Sequence, residues 1–344
     1  MNFIKRNWSG ILVCLVIAIP SWLLGKVFPV VGGAVIAIVA GMIITIFWNN
    51  KGKAEAGIKW TSKTILQTAV VLLGFGMNLG VIFQTGKQSL PIIICTITTS
   101  LFIAWILQKV LKVPANTSIL VGVGSSICGG SAIAATASVI DADDDEIAQS
   151  IAVIFFFNVL AAIFFPLLGK VIGFDTLHGE AFGIFAGTAI NDTSSVTAAA
   201  STWDSMWKLG SETLNKAVTV KLTRTLAIIP ITLGLLWIRT KKNVKEETQA
   251  TKFSLKRAFP MFIFYFIVAA IITTVCVHMG VDAEVFQPMK ELSKFMIIMA
   301  MAAIGLNSNV IQLIRTGGKP IIVGASCWCG ITIVSLVMQN VMKI

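Results

Sequence analysis

Asp192 is the residue whose position points most directly to chemistry, because it lies in the middle of an apolar stretch that covers residues 181–200. Every other acidic residue lies in a connecting loop or close to the end of an apolar segment. A charge at the centre of a membrane-spanning helix costs about 2.5–3.5 kcal/mol to insert, so it usually pairs, titrates or coordinates an ion. We expect Asp192 to carry a coupling ion, sodium or a proton; a structural pair with a buried base is the alternative.

Two cations, Lys221 and Arg224, lie three residues apart in the apolar segment 214–238. Positions i and i+3 of a helix share one face. Two cations that face a cavity form a site for an oxyanion or a carboxylate. The sequence therefore predicts that Lys221 and Arg224 bind an anion or pair with Asp192.

Two apolar segments, 119–138 and 181–200, are interrupted by small and polar residues. A break that faces lipid leaves backbone groups unpaired at several kcal/mol each, so such breaks persist where the freed groups line a cavity and bind an ion. Close helix packing through small residues is the alternative. The candidate substrate- and ion-binding residues of the two interruptions are Ser125, Ser126, Gly129, Gly130, Ser131, Asn191, Asp192, Thr193, Ser194 and Ser195.

The two interruptions match each other without a gap, since residues 124–135 align with 187–198 and place Gly129 opposite Asp192. If both segments cross fully, they run parallel. If both are re-entrant hairpins, they enter from opposite faces and form an inverted pair. Inverted repeats with discontinuous helices are typical of secondary transporters. We favour interrupted or re-entrant elements that meet near the middle of the membrane.

A second match joins residues 76–82 to residues 305–311, with a proline fifteen residues after the first glycine in each copy. In the predicted topology the two copies run in opposite directions, as an inverted repeat requires. The matched asparagines and one further buried asparagine are additional site candidates, and interhelical hydrogen bonds are the alternative. These three residues are Asn78, Asn307 and Asn158.

The elements that must position these residues are membrane helices. The chain has 344 residues, 56% hydrophobic and 12% charged, about half the charge of a soluble domain. Apolar runs of about 20 residues without alternation predict an all-α polytopic bundle, formed as one transmembrane domain over residues 1–344. The predicted segments are 10–26, 30–48, 63–83, 91–111, 119–139, 147–173, 181–200, 214–238, 258–279, 293–313 and 319–341.

The net charge of +11 reflects membrane topology and not a nucleic-acid partner, because the basic residues collect in particular loops. Residues 239–257 and 51–63 are the two richest in lysine and arginine. Basic residues also occur at 5–6, 109–112 and 315–319. Placing all these regions in the cytoplasm is self-consistent for eleven crossings. The N-terminus is then predicted inside and the C-terminus outside.

No catalytic constellation is present, so we do not expect an enzyme. The chain lacks a GxSxG elbow, a P-loop and an HExxH motif. A serine protease that pairs Ser126 or Ser131 with Lys221 is a weakly supported alternative. No cofactor is implied beyond sodium or a proton, and the scattered cysteines have no metal-ligand company.

The sequence resembles the YeiH-type bacterial membrane proteins, which are generally described as sulfate exporters. The resemblance rests on three runs: GVGSSICGGSAIAAT at 122–136, GTAINDTSSVTAAA at 187–200 and VTVKLTR at 218–224. It covers essentially the whole chain. It implies a multi-pass secondary transporter of the bacterial inner membrane, distantly similar to the sodium–proton antiporter and bile-acid symporter group with its inverted repeats and broken helices.

These observations predict an ion-coupled transporter of a small anion, such as sulfate, a sulfonate or a carboxylate. A sodium/proton antiporter without an organic substrate is the alternative within transport. An intramembrane enzyme or a structural subunit of a membrane complex is the alternative from another class. The expected partners are the anionic substrate and the lipid bilayer, and a homodimer is left open.

Overall fold

The computed structural model describes residues 2–28, 32–48, 50–75, 77–227, 231, 234–235, 261–308 and 310–344. The basic loop 239–257 lies outside the described residues, as do residues 236–238 of the predicted segment 214–238. The described part of the chain is all helical, in agreement with the predicted polytopic bundle. Five of its helices are long and apolar enough to span a membrane, at Arg6–Val27, Leu79–Leu111, Asp145–Ile172, Met261–His278 and Gly318–Met342.

The helices are numbered here in chain order. They are α1 (Asn2–Val27), α2 (Gly33–Phe47), α3 (Glu55–Trp60), α4 (Leu66–Gly74), α5 (Leu79–Leu111), α6 (Ala115–Ser126), α7 (Gly130–Ile140), α8 (Asp144–Ile172), α9 (Glu180–Ala189), α10 (Thr193–Trp207), α11 (Glu212–Thr225), α12 (Met261–His278), α13 (Gln287–Asn307) and α14 (Val310–Met342). A π-helical turn, Thr61–Ile65, joins α3 to α4.

Each predicted interruption is a break between two short helices. Residues 119–138 form α6 and α7, and residues 181–200 fall in α9 and α10. The four helices have 12, 11, 10 and 15 residues. At 1.5 Å per residue they span roughly 15–23 Å each, whereas a bilayer core is about 30 Å thick. None of the four can cross a bilayer core by itself.

The α6/α7 pair is a hairpin that returns to the end of the bundle from which it enters. The Nδ2 atom of Asn116, in the first turn of α6, donates to Glu146 Oε2 in the first turn of α8 at 3.0 Å. The last residue of α7, Ile140, lies immediately before α8, which begins with a capping box between Asp143 and Glu146. Both outer ends of the hairpin therefore lie beside the start of α8. We call this the first end of the bundle.

The α9/α10 pair is a second hairpin, and it enters from the opposite end. The backbone N–H of Gly179, just before α9, donates to Glu212 at the start of α11 at 2.9 Å. Asp204, near the end of α10, accepts from the N–H groups of Thr213 and Leu214 at 3.0 and 2.9 Å. Both outer ends of this hairpin therefore lie beside the start of α11, after α8 has crossed the bundle. We call this the second end.

These contacts determine the direction of α8. Eleven full crossings would send residues 147–173 toward the first end, where α5 finishes at Leu111. In the structure α8 starts at the first end and runs away from it, because the α6/α7 hairpin returns. Among the described residues two of the predicted crossings are hairpins, and this change by itself leaves the predicted sides of the two termini as they were.

The helices form two groups that pack chiefly within themselves. The outer group contains α1–α4, α12 and α13, and the site group contains α5–α11 and α14. The chain passes from α4 to α5 and from α13 to α14 where the matched 76–82 and 305–311 motifs lie, and it also passes from the site group to the outer group between α11 and α12. The groups meet mainly where α10 packs against α2 and α13.

Candidate ion and anion site

The tips of the two hairpins meet beside the middle of α8. Asn158 Oδ1 accepts hydrogen bonds from the backbone N–H groups of Asn191 and Asp192, both at 3.2 Å. A Cβ placed on Gly129, at the tip of the first hairpin, would lie 3.5 Å from both Asn158 Nδ2 and Asp192 Cβ. Asn158 is 3% exposed. One buried amide therefore bonds to the second tip and lies beside the first.

The gapless alignment of the two interruptions is reproduced in the backbone. Ile127 and the aligned Ile190 are the residues at which α6 and α9 end. Gly129 and the aligned Asp192 are the residues that precede the first turns of α7 and α10. The two copies therefore break at the same aligned positions, although they enter from opposite ends.

The two tips differ in how the following helix begins. The Asp192 carboxylate accepts from the N–H of Ser194 at 3.2 Å and from the Ser194 hydroxyl, so it caps α10. Gly129 has φ 70°, a region that favours glycine, and it offers no side chain to cap α7. The first N–H groups of a helix have no partner within the helix and carry a partial positive charge. The start of α7 is therefore the tip that a bound anion can complete.

Lys221 bonds to both tips where the C-terminal ends of α6 and α9 present carbonyl groups. Its Nζ donates to the carbonyl oxygens of Ile127 at 2.5 Å and Ile190 at 3.2 Å, and to that of Asn191. The residue is fully buried. The C-terminal ends of α6 and α9 carry partial negative charge, which an ammonium group compensates.

Arg224 makes the same kind of contact one turn further along α11. Its guanidinium donates to Ser126 O at 2.6 Å and Ser125 O at 2.7 Å in the first hairpin. It also donates to Thr188 O at 2.7 Å and Ile190 O at 3.1 Å in the second. The shared face of Lys221 and Arg224 is as predicted. Their direct role as anion ligands does not fit this arrangement, because their donors are directed at backbone carbonyls.

A cavity of about 320 Å³ opens on the other side of the tips, between the outer group and the site group. Its polar lining comes from the starts of α7 and α10 and from α8, with Gly130, Ser131, Asn158, Asp192, Thr193 and Ser194. The outer group supplies Lys63 and Gln67, which lie four residues apart at the π-turn and the start of α4. Lys63 is exposed, so it stands at the mouth of the cavity.

The remaining predicted site residues are distributed differently. Ser125, Ser126, Asn191 and Ser195 are buried beside the cavity without lining it. Both polar side-chain atoms of Asn191 and the hydroxyl of Ser125 lack a hydrogen-bond partner. Asn78 and Asn307 are exposed, so they are not the buried polar residues that the sequence predicted. Asn78 caps α5, and Asn307 Nδ2 donates to Ser62 Oγ at 3.4 Å.

Sequence reasoning missed the contribution of the outer group. Lys63 and Gln67 resemble loop and helix-surface residues in the sequence, and only the packing of α4 against the hairpins places them in the cavity. Asp204 was also missed, since it lies near the end of an apolar segment. Its carboxylate caps α11 and thereby attaches the second hairpin to the helix that carries Lys221 and Arg224.

A second polar cavity of about 430 Å³ lies at the second end, between α5, α9 and α11. Lys216 Nζ bonds to Glu180 Oε1 at 2.7 Å and to Gln88 Oε1 at 2.9 Å beside it. His178 at its rim bonds to Asp175 at 2.8 Å, and this hydrogen bond raises the pKa of His178. The structure thus has a polar depression at each end of the site group.

The fold and the site together define an all-helical membrane protein with two hairpins that meet at a polar centre. A protein-family model described as "Conserved hypothetical protein 698" matches residues 9–324. The chain belongs to the UPF0324 membrane protein family. A UPF0324 membrane protein of Streptococcus mutans is 58% identical over 347 residues and covers 100% of both chains.

Two further relatives carry the same description. One from Streptococcus pyogenes serotype M18 is 57% identical over 334 residues, with 97% of each chain covered. One from Fusobacterium nucleatum is 54% identical over 346 residues, with 97% of this chain and 98% of the relative covered. Their name places this chain in a membrane.

Proposed function

We propose that the protein is an ion-coupled secondary transporter of a small anion that works by alternating access. The observation that carries the proposal is the meeting of two half-helix starts, from hairpins of opposite ends, in one cavity with a carboxylate. Discontinuous helices with this arrangement bind anions at their N-terminal ends. The start of α7, where Gly129 gives no capping side chain and Cys128 Sγ lies 2.9 Å from Ser131 Oγ, is the anion subsite, with Thr193 beside it.

Asp192 couples binding of the anion to binding of a proton or a sodium ion. An anion at the start of α7 would lie close to the Asp192 carboxylate, and like charges at short range repel each other strongly in a low-dielectric site. A proton or a sodium ion on Asp192 removes this repulsion. The carboxylate oxygens and the Ser194 hydroxyl are the groups that would hold such a cation. Anion and cation therefore bind best together, which is the thermodynamic basis of symport.

Alternating access is supported by the position of the cavity between two helix groups. One wall belongs to the outer group and the other to the site group, so a displacement of one group against the other would change which end the site faces. Two of the passages of the chain between the groups fall at the matched motifs, which is compatible with inverted repeats; a third joins α11 to α12, largely outside the described residues.

The proposed location is the bacterial inner membrane with the N-terminus in the cytoplasm. Lys319 Nζ bonds to Leu111 O at 3.2 Å, and Ser9 Oγ bonds to Lys53 O at 3.0 Å. The first contact joins the basic regions near 111 and 319 at the first end, and the second joins the start of α1 to the basic region near 53. An excess of lysine and arginine marks the cytoplasmic side. The described cavity then faces the cytoplasm.

A sodium/proton antiporter is the second candidate, because Asp192, Asn158 and Ser194 alone could exchange two cations at the tips. An intramembrane protease is less well supported. Ser126 Oγ donates to Val123 O at 3.0 Å, and the Lys221 ammonium is directed at carbonyl oxygens, so neither group is arranged for nucleophilic attack.

The test is anion flux in proteoliposomes driven by a pH or sodium gradient, with labelled sulfate, methanesulfonate and hexanesulfonate as probes. Asp192→Asn should abolish the gradient dependence while leaving the protein folded. Asp175→Asn, in an exposed loop at the second end, is the matched control and should transport normally. An Asp192→Asn protein with unchanged sodium and pH dependence contradicts the assignment. Gradient-free turnover of a substrate in detergent would instead identify an enzyme.

A further inference from the structure

The cavity between the two helix groups has a polar floor and largely apolar walls. The floor is formed by the hairpin tips and Asn158. The walls come from both groups, with Leu66, Val70, Ile154, Phe155, Phe262 and Ile304. Sites for inorganic oxyanions are surrounded by hydrogen-bond donors, whereas apolar walls around a few polar groups are typical of organic ligands. The occupant should therefore have one charged head and an apolar body.

The charges of the lining residues limit the charge of that head. Lys63 and Asp192 are its ammonium and carboxylate groups, so their charges cancel when both are ionised. With a proton or sodium ion at Asp192, the lining offers about one positive charge in addition to the partial charge at the start of α7, because Lys221 and Arg224 lie behind the tips and are engaged with carbonyl oxygens. That matches a monovalent anion. A sulfate dianion would leave an uncompensated charge against apolar walls, which is costly.

The volume of the cavity limits the size of the ligand's apolar body. A volume of about 320 Å³ corresponds to about ten water-sized atoms, since a water occupies about 30 Å³. Hexanesulfonate, with ten non-hydrogen atoms, is a ligand of this size. A long lipid-like chain exceeds it.

We infer that the substrate is a monovalent organic anion, a sulfonate or carboxylate with an apolar body of about six carbon atoms. Its head lies at the start of α7 and its body lies against Ile154, Phe155 and Phe262. Lys63 at the mouth attracts it into the cavity. This inference rests on the proposed transport function and narrows it, since it selects organic monoanions over sulfate.

The experiment measures binding to the full-length protein in nanodiscs by calorimetry, with empty nanodiscs subtracted. The probes are methane-, butane-, hexane- and decanesulfonate, sulfate, and hexylammonium. Burial of a methylene contributes about 0.8 kcal/mol, so affinity should rise about fourfold per methylene up to hexanesulfonate and then level off. Sulfate and hexylammonium should not bind saturably.

Two neighbouring phenylalanines provide matched variants. Phe155 lines the cavity, and Phe156 is equally half-buried but lies outside the lining. Phe155→Ala should weaken hexanesulfonate binding by tenfold or more and leave the weak binding of methanesulfonate unchanged. Phe156→Ala should change neither.

Three outcomes overturn the inference: saturable binding of sulfate equal to that of hexanesulfonate, affinity that keeps rising to decanesulfonate, or equal loss in the two phenylalanine variants. If sulfate binds as well as hexanesulfonate and sulfate flux depends on Asp192, the transport proposal stands and only the organic-monoanion substrate is rejected. If no anion binds and no anion flux depends on Asp192, the transport proposal itself fails.

Discussion

At the scale of single residues, the charged groups of the site are separated by the hairpin tips. Asp192 lies on the side where α7 and α10 begin, and it lines the cavity. Lys221 and Arg224 lie on the side where α6 and α9 end, and they bind carbonyl oxygens. Each charge thus lies beside the helix terminus of opposite partial charge. The cations bond to both tips, and the carboxylate lines the cavity, where we propose that it carries the coupling ion.

Replacement of Arg224 by methionine should lower the stability of the folded protein. Four hydrogen bonds to buried carbonyl groups disappear, and each buried acceptor left without a partner costs about 1–3 kcal/mol. Arg224→Lys should recover part of the loss, because it keeps the charge without the planar fork. The measurement is the thermal unfolding midpoint in detergent.

Arg6→Met, at an exposed position near the start of α1, is the control and should leave the midpoint unchanged. An Arg224→Met protein that unfolds like the wild type but loses anion binding would restore the role as an anion ligand that the sequence suggested. The sequence predicted the shared face of Lys221 and Arg224 but not their partners. The carbonyl groups they bind become available only when both hairpins have folded.

At the scale of elements, the hairpins depend on breaks that are built differently. The second break is closed by the Asp192 side chain, which caps α10. The first relies on the backbone freedom of Gly129, with φ 70° and ψ −130°. Neighbouring helices pack closely around them. A Cβ on Gly187 of α9, for example, would lie 2.6 Å from the Cβ of Val220 in α11.

Adjacent glycines at the first tip should respond oppositely to alanine. Gly129→Ala places a side chain where φ is positive, at a cost of about 1–3 kcal/mol, so it should lower the unfolding midpoint. Gly130 lies inside the first turn of α7, and a Cβ there meets nothing within 4 Å. Gly130→Ala should leave the midpoint unchanged or raise it, since alanine favours helix. Equal effects of the two substitutions on the midpoint would argue against this backbone geometry.

The position of both breaks was predictable, because glycines, hydroxyl residues and Asp192 interrupt apolar runs at aligned positions. The return of each hairpin was left open. After the break the chain has enough residues either to continue across or to turn back, and the outcome is decided by contacts far away in sequence. Asn116 with Glu146 and Gly179 with Glu212 are such contacts, 30 and 33 residues apart in the chain.

At the scale of the whole molecule, α8 crosses the bundle between two hairpins that enter from opposite ends. The sides predicted from the basic regions are the same for this arrangement as for eleven crossings, because replacing two crossings by hairpins leaves the predicted side of each of these regions unchanged. Charge counting therefore could not distinguish the two topologies. The regions that differ are the connections before and after α8.

Cysteine labelling in inverted and right-side-out vesicles distinguishes the two topologies. In a variant without the native cysteines, Ala115→Cys and Asp145→Cys should react with an impermeant maleimide from the same side. Leu177→Cys should react from the other side. All three positions are exposed. Eleven full crossings predict instead that positions 115 and 177 share a side and that position 145 is opposite. Reaction in that pattern would rule out the hairpins.

The seven hydrogen bonds from Lys221 and Arg224 to the two tips have a consequence for leakage. A water-filled pore through the centre would have to separate the tips and leave two cations and several carbonyl groups without partners. Passive conduction is therefore opposed by the same contacts that hold the hairpins together. In the proposed transport cycle, solute would pass only when the tips travel as one body, so each movement would carry a bounded number of ions and preserve the membrane potential.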